Sequence, residues 1–206
     1  MKMIERNDNG LLVVISGPSG VGKGTICSRI LKEFNAWESV SMTTRSMRDY
    51  EEEGKDYYFV NFEEFEDRIS NDMFIEYAKY NDNYYGTPKD KIIEHIGKNI
   101  DVILEIEVKG ARIVKDKFPS SILIYVVPPS FDVLKERLMN RNTETEEEIE
   151  KRLNIVKEEI KSLDCYDYVV VNDDLEKAVS EIIGIISSEK LKTSRINKVN
   201  VEWVLC

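Results

Sequence analysis

Residues 17–25 read GPSGVGKGT, and the chemistry such a run can perform is the close wrapping of a phosphate. Glycines let a backbone turn its N–H groups inward at dihedrals that other residues resist. Gly17, Gly22 and Lys23 fall where the pattern G-x-x-x-x-G-K-[S/T] places them, and Pro18, Ser19, Gly20 and Val21 fill the turn. The lysine brings a full charge toward β- and γ-phosphates, and a helix beginning there adds its positive dipole end. One position departs from the pattern. Gly24 stands where a magnesium-binding Ser or Thr is expected, with Thr25 one step late. A plain glycine-rich turn is the competing reading, and the apolar run before it together with the Gly-Lys pair argues against that.

Such a loop needs a strand before it and a helix after it. LLVVIS (11–16) is apolar and rich in β-branched residues, as a buried parallel strand requires. Beyond the loop, Ile26, Ile30 and Leu31 recur at helical spacing. Similar apolar runs follow at 100–106, 121–127 and 166–171, with helical patterns at 109–117, 130–140 and 174–190. Strands alternating with helices predict a three-layer α/β fold around a parallel sheet. Two stretches interrupt the alternation. Residues 39–87 read as a mixed insertion of short strands and one helix, and 137–158 carries arginines on both sides of an acidic run. Within it, TEEE (145–148) can form a capping box that starts a helix. The expected core therefore comprises 10–38, 88–136 and 159–190 of a single domain, 1–190. The tail 191–206 shows no pattern and is assigned no role.

Composition narrows the function classes. With 206 residues, 42% of them hydrophobic and 33% charged, the chain has the make-up of an ordinary globular domain. No stretch resembles a membrane span or a secretory signal. Cys27, Cys165 and Cys206 lack metal-ligand spacing and read as reduced thiols of a cytoplasmic protein. A net charge of −10 argues against nucleic-acid or anionic-membrane binding, while leaving room for a small anion held by focused cations. His95 is the only histidine, so a histidine triad or multi-histidine metal site is excluded, and it reads as a solvated helix residue.

Four further segments narrow the class again: SVSMTTRSMRDYEEEGKDYYFV (39–60), FIEYAKYNDNYYGT (74–87), ILEIEVKGA (103–111) and RNTETEEEIEKRL (141–153). Together with the GKGT variant of the loop, which is similar to that of nucleoside monophosphate kinases, they closely resemble guanylate kinase from about residue 10 to 190. The resemblance implies a P-loop core, an inserted GMP-binding region at 39–87 and a helical lid at 137–158. It implies transfer of the γ-phosphoryl group of ATP to GMP with Mg²⁺, the metal held mainly by phosphates and water. By motif, residues 17–25 and Asn172 would meet ATP. Arg45, Arg48, Tyr57 and Tyr85 would meet the GMP phosphate, whose oxygens suit arginine's planar fork. Glu76, assisted by Glu107, would accept from guanine N1–H and N2–H₂, and Ser41 and Thr87 would add hydroxyls. Adenine has no N1–H, so this set would discriminate against AMP.

Read singly, several of these residues have plainer interpretations. Glu76 fits a solvent-facing strand position equally well, Tyr58 reads as a strand aromatic, and Arg45 and Arg48 alone read as surface charges. The chain also departs from the family: Met47, Asp49 and Tyr50 occupy positions where Pro and a Pro-Gly pair are common, Glu107 stands for aspartate, and Lys109 for glutamine. An acceptor phosphate with a second pKa near 6 needs no general base, so catalysis would rest on alignment and charge neutralisation by Lys23, Arg45, Arg137, Arg141 and Arg152. Two rivals remain, a P-loop phosphotransferase for another acceptor and a non-catalytic guanylate-kinase-like interaction module.

Overall fold

The computed structural model describes residues 4–7, 9–80, 82–140 and 146–199. In chain order these form β1 (Ile4–Arg6), β2 (Leu12–Ser16), α1 (Lys23–Glu33) and β3 (Ala36–Glu38). Next come β4 (Met42–Thr43), β5 (Tyr58–Phe59), α2 (Phe62–Ser70), β6 (Phe74–Tyr80) and β7 (Asn83–Pro88). The chain continues through α3 (Lys89–Gly97), β8 (Asp101–Glu105), α4 (Val108–Lys117), β9 (Ile122–Val127), α5 (Phe131–Met139) and α6 (Glu146–Glu159). After a 3₁₀ turn at Ile160–Cys165 it ends in β10 (Tyr168–Val171), α7 (Leu175–Glu189) and β11 (Ile196–Val199).

The main sheet is five-stranded and parallel, in the order β10-β9-β2-β8-β3. Period-two alternation sends Val13, Ile15 and Ile103 toward Ile26 and Ile30 of α1 and Ile182 and Ile186 of α7. The opposite face sends Leu12, Val14, Val102 and Leu104 toward Ile92 of α3 and Ala111 and Val114 of α4. Both faces are covered, which is why these strands read as unbroken apolar runs. The four strand-like runs of the sequence and its three helical patterns all form, with ends shifted by a residue or two.

Segment 39–87 builds a second sheet, in the order β5-β4-β7-β6, mostly antiparallel. Its core is a separate cluster of Met42, Phe65 and Phe74, against which Tyr58 packs as a strand aromatic. Helices α5 and α6 form a third cluster through Leu134, Leu138, Ile149 and Val156. The tail expected to lack pattern contributes β11, antiparallel to β1. His95 corrects the solvated reading: its ring stacks on Trp37 with centroids 3.9 Å apart, and its Nδ1–H donates to the Lys91 carbonyl at 2.7 Å. No described helix is long and apolar enough to cross a membrane.

Candidate active site

β2 is the central strand, and the chain leaves its carboxyl end through residues 17–22 into α1. This is where ligands sit in open parallel sheets. Gly17, Gly20 and Gly22 have φ of 146°, 90° and 97°, left-handed conformations that side-chain-bearing residues rarely adopt. At Gly22 a Cβ would also lie 2.7 Å from Asn172 Nδ2. That amide donates to the Val21 carbonyl at 2.7 Å and is buried, so Asn172 buttresses the loop. Its side-chain amide nitrogen is thus engaged by the loop. Helix α1 has no side-chain cap and no acidic residue in its first turn, leaving its amide donors for an anion. Lys23 Nζ rests on the Gly17 and Pro18 carbonyls at 2.7 and 3.2 Å. Burial lowers the Lys23 pKa, opposed by Glu105 and Glu107.

Lys23 opens onto a cleft of about 1130 Å³, lined also by Ser19, Ser41, Tyr57, Glu107 and Arg152. The second sheet and its connections carry further expected residues. The Thr87 hydroxyl donates to Glu76 Oε1 at 2.6 Å. Glu76 lies against the first turn of α4, where a Cβ on Gly110 would be 3.5 Å from its Oε2. Burial raises its pKa, Thr87 opposes the rise, and Glu107 adds to it. Glu76 is therefore a half-buried carboxylate facing Thr87 and α4, so the solvent-facing alternative does not hold.

Arg45 makes a bidentate pair with Glu51, at 2.9 and 2.7 Å, and lies over the rings of Tyr57 and Phe59 at 5.5 and 5.7 Å. Tyr57 and Tyr85 meet edge-on at 6.0 Å. Glu51 also accepts from the Arg48 backbone N–H at 2.8 Å, closing the turn that lacks the usual Pro-Gly pair. Arg48 itself is exposed and its guanidinium donates to the Tyr50 hydroxyl at 2.9 Å. Of the lid arginines, Arg152 donates to Ser19 Oγ at 2.9 Å, and Arg137 donates to the Asn172 and Val21 carbonyls at 3.0 and 3.4 Å. Arg141 lies outside the described residues.

The sequence reading missed three acidic groups in this cleft, Glu38, Glu105 and Glu159. Glu105 closes β8 two residues before Glu107, and that i, i+2 spacing at the end of a buried strand was the available signal. It also bears on Gly24. A Cβ there would lie 3.4 Å from Glu105 Oε2, in ordinary contact with that carboxylate.

A phosphate loop and an acceptor sheet facing each other across one cleft define a P-loop nucleoside monophosphate kinase. The family model described as Guanylate kinase matches residues 9–189. The chain is 51% identical over 189 residues to a guanylate kinase of Clostridium tetani, covering 92% of this chain and 91% of the relative. It is 50% identical over 194 residues to one of Clostridioides difficile, covering 94% and 95%. The crystal structure of guanylate kinase from Anaplasma phagocytophilum superimposes with a TM-score of 0.73 at 34% identity, over 95% of this chain and 93% of that one. The chain belongs to the guanylate kinase family, and it is an ATP-dependent phosphotransferase of the nucleoside monophosphate kinase class.

Proposed function

We propose that the protein transfers the γ-phosphoryl group of ATP to GMP, giving ADP and GDP, in cytoplasmic purine nucleotide metabolism. The observation that carries this reading is the cleft that joins Lys23 to Ser41, Tyr57 and Glu107. In it a donor triphosphate and a purine monophosphate can lie end to end.

On this reading the amides of residues 17–25 and Lys23 hold the donor phosphates. Arg45, Tyr57 and Tyr85 hold the acceptor phosphate, with Arg48 at its exposed edge. The half-buried Glu76 carboxylate accepts from guanine N1–H and N2–H₂, with Thr87 fixing one of its oxygens, while Glu107 and Ser41 complete the base site. Arg137 and Arg152 neutralise charge on the phosphoryl group in flight, joined by Arg141 from the lid, 137–158. Segment 39–87 acts as the acceptor region, and 10–38, 88–136 and 159–190 form the core. No side chain need remove a proton, because the acceptor oxygen is already mostly ionised at neutral pH. The rate enhancement then comes from alignment and charge stabilisation.

The residues present fit magnesium bound with ATP. Magnesium prefers oxygen ligands and keeps several waters, so where Gly24 offers no hydroxyl the phosphate oxygens and water would hold it. When bound, the metal supplies neutralisation of the β- and γ-phosphate charge. A coupled ADP-release assay with GMP, AMP, dTMP and ribose phosphates side by side tests the reading. GMP should dominate by orders of magnitude. Comparable turnover of AMP would remove the base-recognition argument, and no turnover of any acceptor would favour a non-catalytic module.

A further inference from the structure

We propose that Cys27, Glu38 and Glu105 form a binding site for a transition-metal dication of the zinc class, set beneath the phosphate loop. The three donors come from α1, β3 and β8, and the ligating atoms all lie within 4.8 Å of one another. Strand β3 runs parallel to β8 with Glu38 opposite Ile103, which places Glu38 and Glu105 diagonally across one sheet edge.

The two carboxylates have a feature that a purely structural role leaves unexplained. Cys27 is fully buried in the core on the α1 side of the sheet, with its thiol in reach of both of them. Glu38 and Glu105 are half-buried, and neither carboxylate receives a hydrogen bond from a described residue. They lie close enough for Glu105 to raise the Glu38 pKa beyond what burial does, and the nearby Lys23 ammonium rests on backbone carbonyls. A dication bound here would take the thiol as thiolate, since a coordinating thiol is deprotonated outright.

The donor set selects the class of ion. One sulfur with two carboxylate oxygens suits zinc or cobalt and disfavours magnesium, which takes oxygen alone. Metal–ligand lengths of roughly 2.0–2.3 Å require ligand atoms about 3.5 Å apart. The site must therefore contract by roughly an ångström, which rotation of two partly exposed glutamates can supply. Both glutamates line the cleft, so a fourth ligand, water or a phosphate oxygen, enters from that side. This is the open-position geometry of non-structural zinc sites.

The test uses Co²⁺ as a spectroscopic probe on the full-length protein, so its outcome is independent of the phosphotransfer reading. Adding Co²⁺ should produce a sulfur-to-cobalt charge-transfer band saturating at one ion per chain, reversed by Zn²⁺ and accompanied by proton release. Cys27→Ala should abolish the band, whereas the Cys165→Ala/Cys206→Ala double variant should retain it. Glu38→Gln should weaken Co²⁺ binding at least roughly tenfold, since even outer partners of metal ligands change affinity by that much. It also carries the test should Cys27→Ala fail to fold. No charge-transfer band in the native protein, a band that survives Cys27→Ala, or unchanged affinity in Glu38→Gln would each overturn the proposal.

Discussion

Glu76 has one hydrogen-bond donor among the described residues, Thr87, so most of its acceptor capacity faces outward from a site that disfavours charge. A purine edge with two N–H donors would supply what is missing. Glu76→Gln keeps the size and replaces one acceptor with a donor. A charged hydrogen bond contributes about 1.5–3 kcal/mol, so kcat/KM for GMP should fall at least roughly tenfold. IMP, lacking the 2-amino group, should lose less, and ATP affinity should not change. An unaltered GMP profile would remove Glu76 from base recognition. Lys23 makes the opposite case. Its hydrogen bonds among the described residues go to the Gly17 and Pro18 carbonyls of the loop proposed to hold the donor, so Lys23→Ala should lower kcat by orders of magnitude while calorimetric GMP affinity stays near native. Parallel loss of GMP affinity would mean the two sites are misassigned. At this scale the phosphate loop was legible because its chemistry is contiguous. Glu38 and Glu105 were not, because strands 60 and more residues apart bring them together.

At the scale of elements, the tip of the phosphate loop packs against α5. A Cβ on Gly20 would lie 2.7 Å from Leu138 Cδ2, in the cluster that α5 shares with α6. Gly20→Ala should therefore weaken ATP binding, measured by titration, with GMP binding retained. Leu138→Ala in the same chain would relieve the clash but not the φ of 90°, which costs an L-residue of order 1 kcal/mol. The double variant should accordingly recover only part of the affinity. Full recovery would show that contact with Leu138, and not backbone conformation, fixes the glycine. The long buried strands and amphipathic helices were readable because each carries its own periodicity. The missed elements carry none: β3 spans three residues, and β1 pairs with β11 across nearly the whole chain, whereas β4 and β5 fall among the short strands expected within 39–87. His95 was misread for the same reason, since Trp37 reaches it from a distant strand.

For the whole molecule the governing feature is excess negative charge, −10 in total, part of it held in the cleft. Burial, reinforced by Glu107, raises the pKa of both Glu76 and Glu159 above the ordinary 4.5. Between that ordinary value and the raised one, the folded chain binds more protons than the unfolded chain. Stability then falls as pH rises through the window, by about 1.4 kcal/mol per pH unit for each proton bound differently. Relief of net-charge repulsion on acidification acts in the same direction. Paired carboxylates work the other way at lower pH: Glu51 with Arg45, Asp72 with Lys89 and Lys117, and Glu94 with Lys98 all have lowered pKa values, and their contribution is lost as pH falls through them. The nucleotide-free protein should thus melt at a higher temperature just above the ordinary carboxylate range, about 4.5, than near neutral pH, and lose stability again below that range. Glu76→Gln should flatten the upper limb. High salt should flatten only the part due to net charge, because buried groups are screened much less than exposed ones. A melting temperature that is level or falling as pH drops from neutral to just above the ordinary carboxylate range would mean that burial does not raise these carboxylates in the free protein, and would remove the electrostatic cost that bound cations are expected to offset.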